Sequence, residues 1–158
     1  MKISVQTKDF DVSHELAVMR SANPAIGAVV NFVGLVRDRN EGHDIRAMEL
    51  EHYPGMTEKS LLAIAEQAQQ RWNLIDTLII HRVGVLQPMD QIVMVAAASA
   101  HRGEAFAACE FMMDYLKTEA PFWKKETTPD GERWVDARES DSVALSKWGA
   151  LQTNSQVQ

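Results

Sequence analysis

The 158-residue chain has a single cysteine, Cys109, so it can form no internal disulfide and nothing in its cysteine content points to an oxidising compartment. Its five histidines (His14, His43, His52, His81 and His101) have no metal-ligand spacing to one another or to Cys109, and no HExxH string occurs. No metal centre is expected. The eight glycines are scattered, forming neither a phosphate-cradling loop nor a dinucleotide fingerprint, and GxSxG is absent. No apolar run reaches the roughly 20 residues of a membrane span. The N-terminal residues lack a signal-peptide core, so the expected location is the cytoplasm. Basic excess is missing as well. A net charge of −6 speaks against non-specific nucleic-acid binding, which depends on neutralising phosphates with lysine and arginine. An anion site here must be a local cluster working against the overall sign.

The remaining composition, 46% hydrophobic and 24% charged, is that of a soluble globular protein able to bury a core. One domain over residues 1–150 is expected, followed by a polar, disordered tail, LQTNSQVQ, over 151–158. Alternation predicts a short edge strand at Lys2–Gln6, and Ser13 is placed as the cap of a helix ended by Asn23-Pro24. The β-branched run Ala25–Val36 predicts a long buried strand, with Gly27 and Gly34 marking a bend, bulge or close backbone approach. Asp38–Asp44 is expected to be a flexible loop and Ile45–Tyr53 a strand; Thr57 then caps a helix bearing Leu61, Ala65, Ala68 and Trp72. Strands are expected at Ile75–Val83 and Gln91–Ala100 with a loop at Gly84–Asp90 between them, and a last helix at Ser140–Trp148. The fold class is α+β, with helices packed on one face of a mixed or antiparallel sheet.

The stretch His101–Glu126 stands apart. Ala105, Cys109, Met112, Met113 and Leu116 form one apolar helical stripe, which makes Cys109 a core residue. Pro121 stops that helix near Thr118 and turns the chain into an extended run. Phe122 and Lys124 then project one way and Trp123 and Lys125 the other. Lys117 and Lys124 can meet around this proline corner, although lysines at a helix C-terminus also favour the macrodipole and ordinarily face solvent. At the opposite end, His101-Arg102 at a helix N-terminus could hold an anion, or Arg102 could simply pair with Glu104. His81-Arg82 is read as structural. His101 and Lys117 are 16 positions apart, or about 24 Å along a helix at 1.5 Å per residue. They cannot serve one small-molecule site within a single chain, so they belong to two sites or to two subunits.

The strings FVGLVRD (Phe32–Asp38), LEHYPGMTEK (Leu50–Lys59), SAHR (Ser99–Arg102), MDYLKTEAPFWKKE (Met113–Glu126) and RWVDARESD (Arg133–Asp141) resemble the large, catalytic subunit family of molybdopterin synthase. The resemblance runs from about Ala28 to Trp148 and places no function on Asp38–Asp44 or Glu119. It implies an α/β-hammerhead-like fold and conversion of cyclic pyranopterin monophosphate (precursor Z) to molybdopterin. Sulfur would come from the C-terminal Gly-Gly thiocarboxylate of a small ubiquitin-like subunit. The assembly would be a heterotetramer of two large and two small subunits around a large-subunit homodimer. It further implies Lys117 and Lys124 as catalytic residues and Arg37, His101, Arg102 and Arg138 as substrate- and anion-binding residues, with Lys125 alongside them. The His-Arg pair would come from the neighbouring subunit. No metal or organic cofactor is implied, because sulfur arrives covalently. The competing reading is a non-catalytic dimeric adaptor that binds the sulfur carrier or a pterin.

Overall fold

Gln91–Ser99, the most apolar run of the chain, becomes the strand around which the first sheet is built. The structure is a computed structural model and describes residues 1–135 and 143–149. In chain order the elements are β1 (Lys2–Gln6), α1 (Val12–Ser21), β2 (Ala28–Leu35), β3 (Arg39–Asn40), β4 (His43–Asp44) and β5 (Ala47–His52). There follow α2 (Met56–Arg71), β6 (Leu74–Arg82), β7 (Gly84–Leu86), β8 (Gln91–Ser99), α3 (Arg102–Glu119), β9 (Phe122–Thr128) and β10 (Gly131–Val135). A short helix over 143–149, here α4, completes the described chain.

One sheet has the order β1-β6-β8-β2 and a second the order β10-β9-β5-β7, while β3 and β4 form a two-stranded hairpin. Strand β8 lacks polar alternation because both its faces are covered. On one face Val93, Val95 and Ala97 meet Leu61, Ile64 and Ala65 of α2, Cys109, Phe111 and Met112 of α3, and Trp148 of α4. On the other, Met94, Ala96 and Ala98 pack with Phe10 and Met19, beside Val12 and Leu16 of α1. Each fully buried Leu, Ile, Phe or Met contributes about 1.5–3 kcal/mol, so this double layer is the main source of stability. Helices therefore cover both faces of the first sheet, not one. The second sheet has a smaller core of Ile45, Met48, Leu50 and Leu86, joined by Val36.

Several local expectations change. The strand expected over Ala25–Val36 is shorter and, among the described residues, lies at the sheet edge, pairing only with β8, with Phe32 42% and Leu35 52% exposed. Its glycines behave as expected. A Cβ on Gly27 would stand 2.2 Å from the Ala100 carbonyl oxygen, and the register shifts between Gly34 and Leu35. Asp11, not Ser13, caps α1, its carboxylate accepting the His14 N–H at 3.0 Å. An ionised acceptor at a helix N-terminus also gains from the dipole. Gly55 caps α2 at φ 83°, a left-handed conformation that suits glycine, with Glu58 accepting its N–H at 2.7 Å. Thr57 lies inside the first turn. Its hydroxyl accepts from Tyr53 N–H (3.0 Å) and donates to the Pro121 carbonyl (3.1 Å), tying α2 to the proline corner. The loop expected at Gly84–Asp90 contains β7, paired with β5. Asp38–Asp44 is a hairpin whose tip uses positive φ at Glu41 and Gly42. The last helix is described over 143–149; Ser140, Asp141 and Ser142 of the expected span lie outside the described residues, as does the 151–158 tail.

Candidate active site

Helix α3 runs to Glu119, where Pro121 prevents continuation, and β9 starts at once as a partner of β5. Lys117 therefore sits on the last turn of the helix, above the inner face of the second sheet. Alternation along β9 turns Phe122, Lys124 and Glu126 inward. A cleft of about 350 Å³ opens between these residues, the end of β2 and the hairpin, lined by Arg37, Arg39, Asn40, His81, Lys117, Phe122, Lys124 and Glu126. Its apolar wall includes Val36, Met48, Leu50, Ile92 and Leu116.

The polar groups are organised by Glu126, which is 1% exposed. One carboxylate oxygen accepts from Asn40 Nδ2 at 2.6 Å and lies 3.3 Å from Lys124 Nζ; the other accepts from Arg133 Nη2 at 3.0 Å. Burial alone would raise this carboxyl, but the hydrogen bonds from Asn40 and Arg133 and the charge of Lys124 outweigh it and hold the pKa below the ordinary glutamate value. Asn40 carries the network onward, its Oδ1 accepting from Arg37 Nη2 at 3.4 Å. Arg133 also donates to the Asn40 carbonyl, at 3.2 Å. The hairpin to which the sequence reading gave no function thus joins Arg37 to Lys124.

His81 forms part of the floor. It stacks on Phe122 with centroids 3.8 Å apart, and burial, with the nearby charges of Lys117 and His52, pushes its pKa down to about 4 despite a bond to the Arg82 carbonyl. Cys109 is confirmed as a core residue. Its thiol lies 3.7 Å from the Val95 carbonyl oxygen, and burial raises its pKa to about 12.

The expected residues separate into groups. Arg37, Lys117 and Lys124 share the cleft. Lys125 lies on the outer face of β9, 3.4 Å from Glu49, 3.7 Å from Glu132 and 5.6 Å from the Trp134 ring centroid. His101 caps the far end of α3 and Arg102 opens it, both exposed and one helix length from Lys117. Glu104 takes a hydrogen bond from Ser99 (3.2 Å), and no ion pair to Arg102 occurs among the described residues. Arg138 lies outside the described residues. Asn40, Glu126 and His81 were missed as site residues. Glu126 was detectable, because alternation from Phe122 puts it beside Lys124. Asn40 and His81 reach the cleft through contacts distant in sequence. Among the described residues no group of three or more His, Cys, Asp or Glu could hold a metal ion, and no helix is long and apolar enough to cross a membrane.

Cationic side chains gathered on an apolar, aromatic-floored cleft form a surface chemically suited to an anionic small molecule with a flat part. Residues 5–119 match the model of the MoaE protein family. The molybdopterin synthase catalytic subunit of Ralstonia nicotianae is 63% identical over 152 residues, covering 96% of this chain and 86% of that protein. The molybdopterin biosynthesis MoaE protein from Burkholderia ambifaria superposes with a TM-score of 0.81 at 64% identity, covering 94% of this chain and 97% of that one. Molybdopterin synthase from Staphylococcus aureus does so with a TM-score of 0.77 at 33% identity, covering 85% and 96%. The chain belongs to the MoaE family, that of the molybdopterin synthase catalytic subunits.

Proposed function

We infer that the chain is the catalytic subunit of a molybdopterin synthase, a cytoplasmic sulfurtransferase that converts precursor Z to molybdopterin. The observation that carries this reading is the meeting of Lys117, Lys124 and Arg37 on one cleft, in a chain so similar to curated catalytic subunits. Arg37 and Lys124 hold the substrate phosphate by charge-assisted hydrogen bonds, and the buried carboxylate of Glu126 fixes the direction of Lys124. Lys117, at the open end of the helix, hands a proton to the substrate oxygen that becomes anionic as the thiocarboxylate sulfur attacks carbon. The sulfur donor is the C-terminal thiocarboxylate of a small ubiquitin-like subunit, so the chemistry calls for no metal or organic cofactor.

A second copy of the chain completes the site. His101 and Arg102 stand a helix length from Lys117, and β2, whose outer edge pairs with no strand among the described residues, carries the exposed Phe32 and Leu35. A homodimer that covers this edge brings a neighbour's His101 and Arg102 toward the substrate phosphate, and Arg138 joins them as a further anion-binding position. Two small subunits make the assembly a heterotetramer. The test is reconstitution with a thiocarboxylated small subunit and precursor Z, reading molybdopterin by fluorescence after oxidation. Lys117→Ala is expected to abolish product while keeping small-subunit affinity. Full activity in that variant removes Lys117 from the reaction, and partner binding by wild type without product favours an adaptor.

A further inference from the structure

Among the groups around the cleft, His81 has no part in the roles above. Its ring lies nearly parallel to that of Phe122, 17° between planes, and the residue is 5% exposed. Nδ1 lies 2.8 Å from the Arg82 carbonyl oxygen. A carbonyl only accepts, so Nδ1 carries the ring proton and Nε2 is left with a bare lone pair. Nε2 has no hydrogen-bond partner among the described residues, yet His81 borders the cleft. With a pKa near 4 the ring stays neutral at pH 7 and remains an acceptor.

The other polar groups of the cleft offer something different. Arg37, Arg39, Lys117 and Lys124 are donors. Glu126 already receives Asn40, Arg133 and Lys124, while Asn40 uses its amide on Glu126 and its carbonyl oxygen on Arg37. Donors suffice for a phosphate. A fused heteroaromatic ring bearing N–H groups also needs an acceptor and a flat apolar surface, and the His81–Phe122 pair supplies both in one place.

We propose that His81 is a specificity-determining residue of the cleft, whose Nε2 accepts an N–H of the substrate's pterin ring system while Phe122 lies against its apolar part. This rests on the synthase reading above, and the experiment separates the two. Wild type with thiocarboxylated small subunit must make molybdopterin from precursor Z; if it does not, the synthase reading fails whatever His81 does. Given an active wild type, His81→Phe keeps the stacked ring and removes the acceptor. KM for precursor Z is expected to rise about five- to tenfold, as for one lost hydrogen bond, with kcat and small-subunit affinity unchanged. His81→Gln, which returns an acceptor oxygen, is expected to restore most of the loss. An unchanged KM in folded His81→Phe overturns the proposal. Should that variant fail to fold, the 15N shift of His81 Nε2 is followed in wild type as precursor Z is added with a small subunit ending in an ordinary carboxylate. A signal that moves supports the hydrogen bond, and one that stays fixed overturns it.

Discussion

Lys124 and Lys125 are neighbours in sequence and identical in chemistry, yet they lie on opposite faces of β9 in opposite surroundings. Lys124 faces the cleft and shares a buried carboxylate with Asn40 and Arg133. Lys125 faces outward onto Trp134, between Glu49 and Glu132, and hydrogen bonding to Glu49 followed by the charge of Glu132 raises its pKa. Both partners keep part of their side chains in solvent, and a pair of this kind contributes little. The lesson is that a cation becomes useful where a fixed carboxylate holds it beside a cavity, and the pleat of a strand decides which of two lysines that is.

The inner face should be the fragile one. Glu126→Ala removes the anion shared by Lys124, Arg133 and Asn40, and breaking a buried, hydrogen-bonded charge network costs about 3–5 kcal/mol. Urea unfolding measures this directly, and a loss below 1 kcal/mol would mean that Glu126 is not the anchor. Acid should act around the same cleft. The folded-state pKa of His81, about 4, lies below the unfolded value of 6.5, so on acidification the unfolded chain takes up the proton first. Stability contributed at neutral pH then falls as pH drops from 6.5 toward 4, by about 3 kcal/mol at 1.36 kcal/mol per pKa unit. Glu126, lowered below its ordinary value, adds a loss in the same direction at still lower pH. Melting temperature against pH, compared with His81→Phe, isolates the histidine part: the slope between pH 6.5 and 4 should flatten in the variant. Lys125 works the other way, since a raised lysine stabilises below its unfolded value and loses that contribution only in alkali.

The activity comparison is smaller in free energy and sharper in meaning. Lys124→Ala is expected to lower turnover about a hundredfold, the scale for removing one charge-stabilising donor from an active site. Lys125→Ala is expected to leave turnover within a factor of two. Equal losses from both substitutions would collapse the distinction between the two faces and return Lys125 to the substrate site.

Much of this was legible in the sequence because it depends on local rules. The proline corner at Pro121, the stripe that buries Cys109 and the alternation that parts Phe122 and Lys124 from Trp123 and Lys125 follow from helical and strand periods. The helix-length separation of His101 from Lys117 follows from the rise per residue. Errors came where a choice between neighbours was needed: Asp11 over Ser13, Gly55 over Thr57, and an edge in place of an interior for β2. Apolar content does not distinguish an interior strand from an edge that another surface could cover.

Family membership, the proline corner and the alternation around the two lysines were determined by the sequence alone, because residue strings and backbone periods are local properties of the chain. Only the tertiary structure decided that Asn40, 86 positions from Glu126, would hold its carboxylate, and that His81 would lie flat on Phe122. Those contacts depend on how two sheets and a hairpin meet in space, and no period along the chain encodes that meeting.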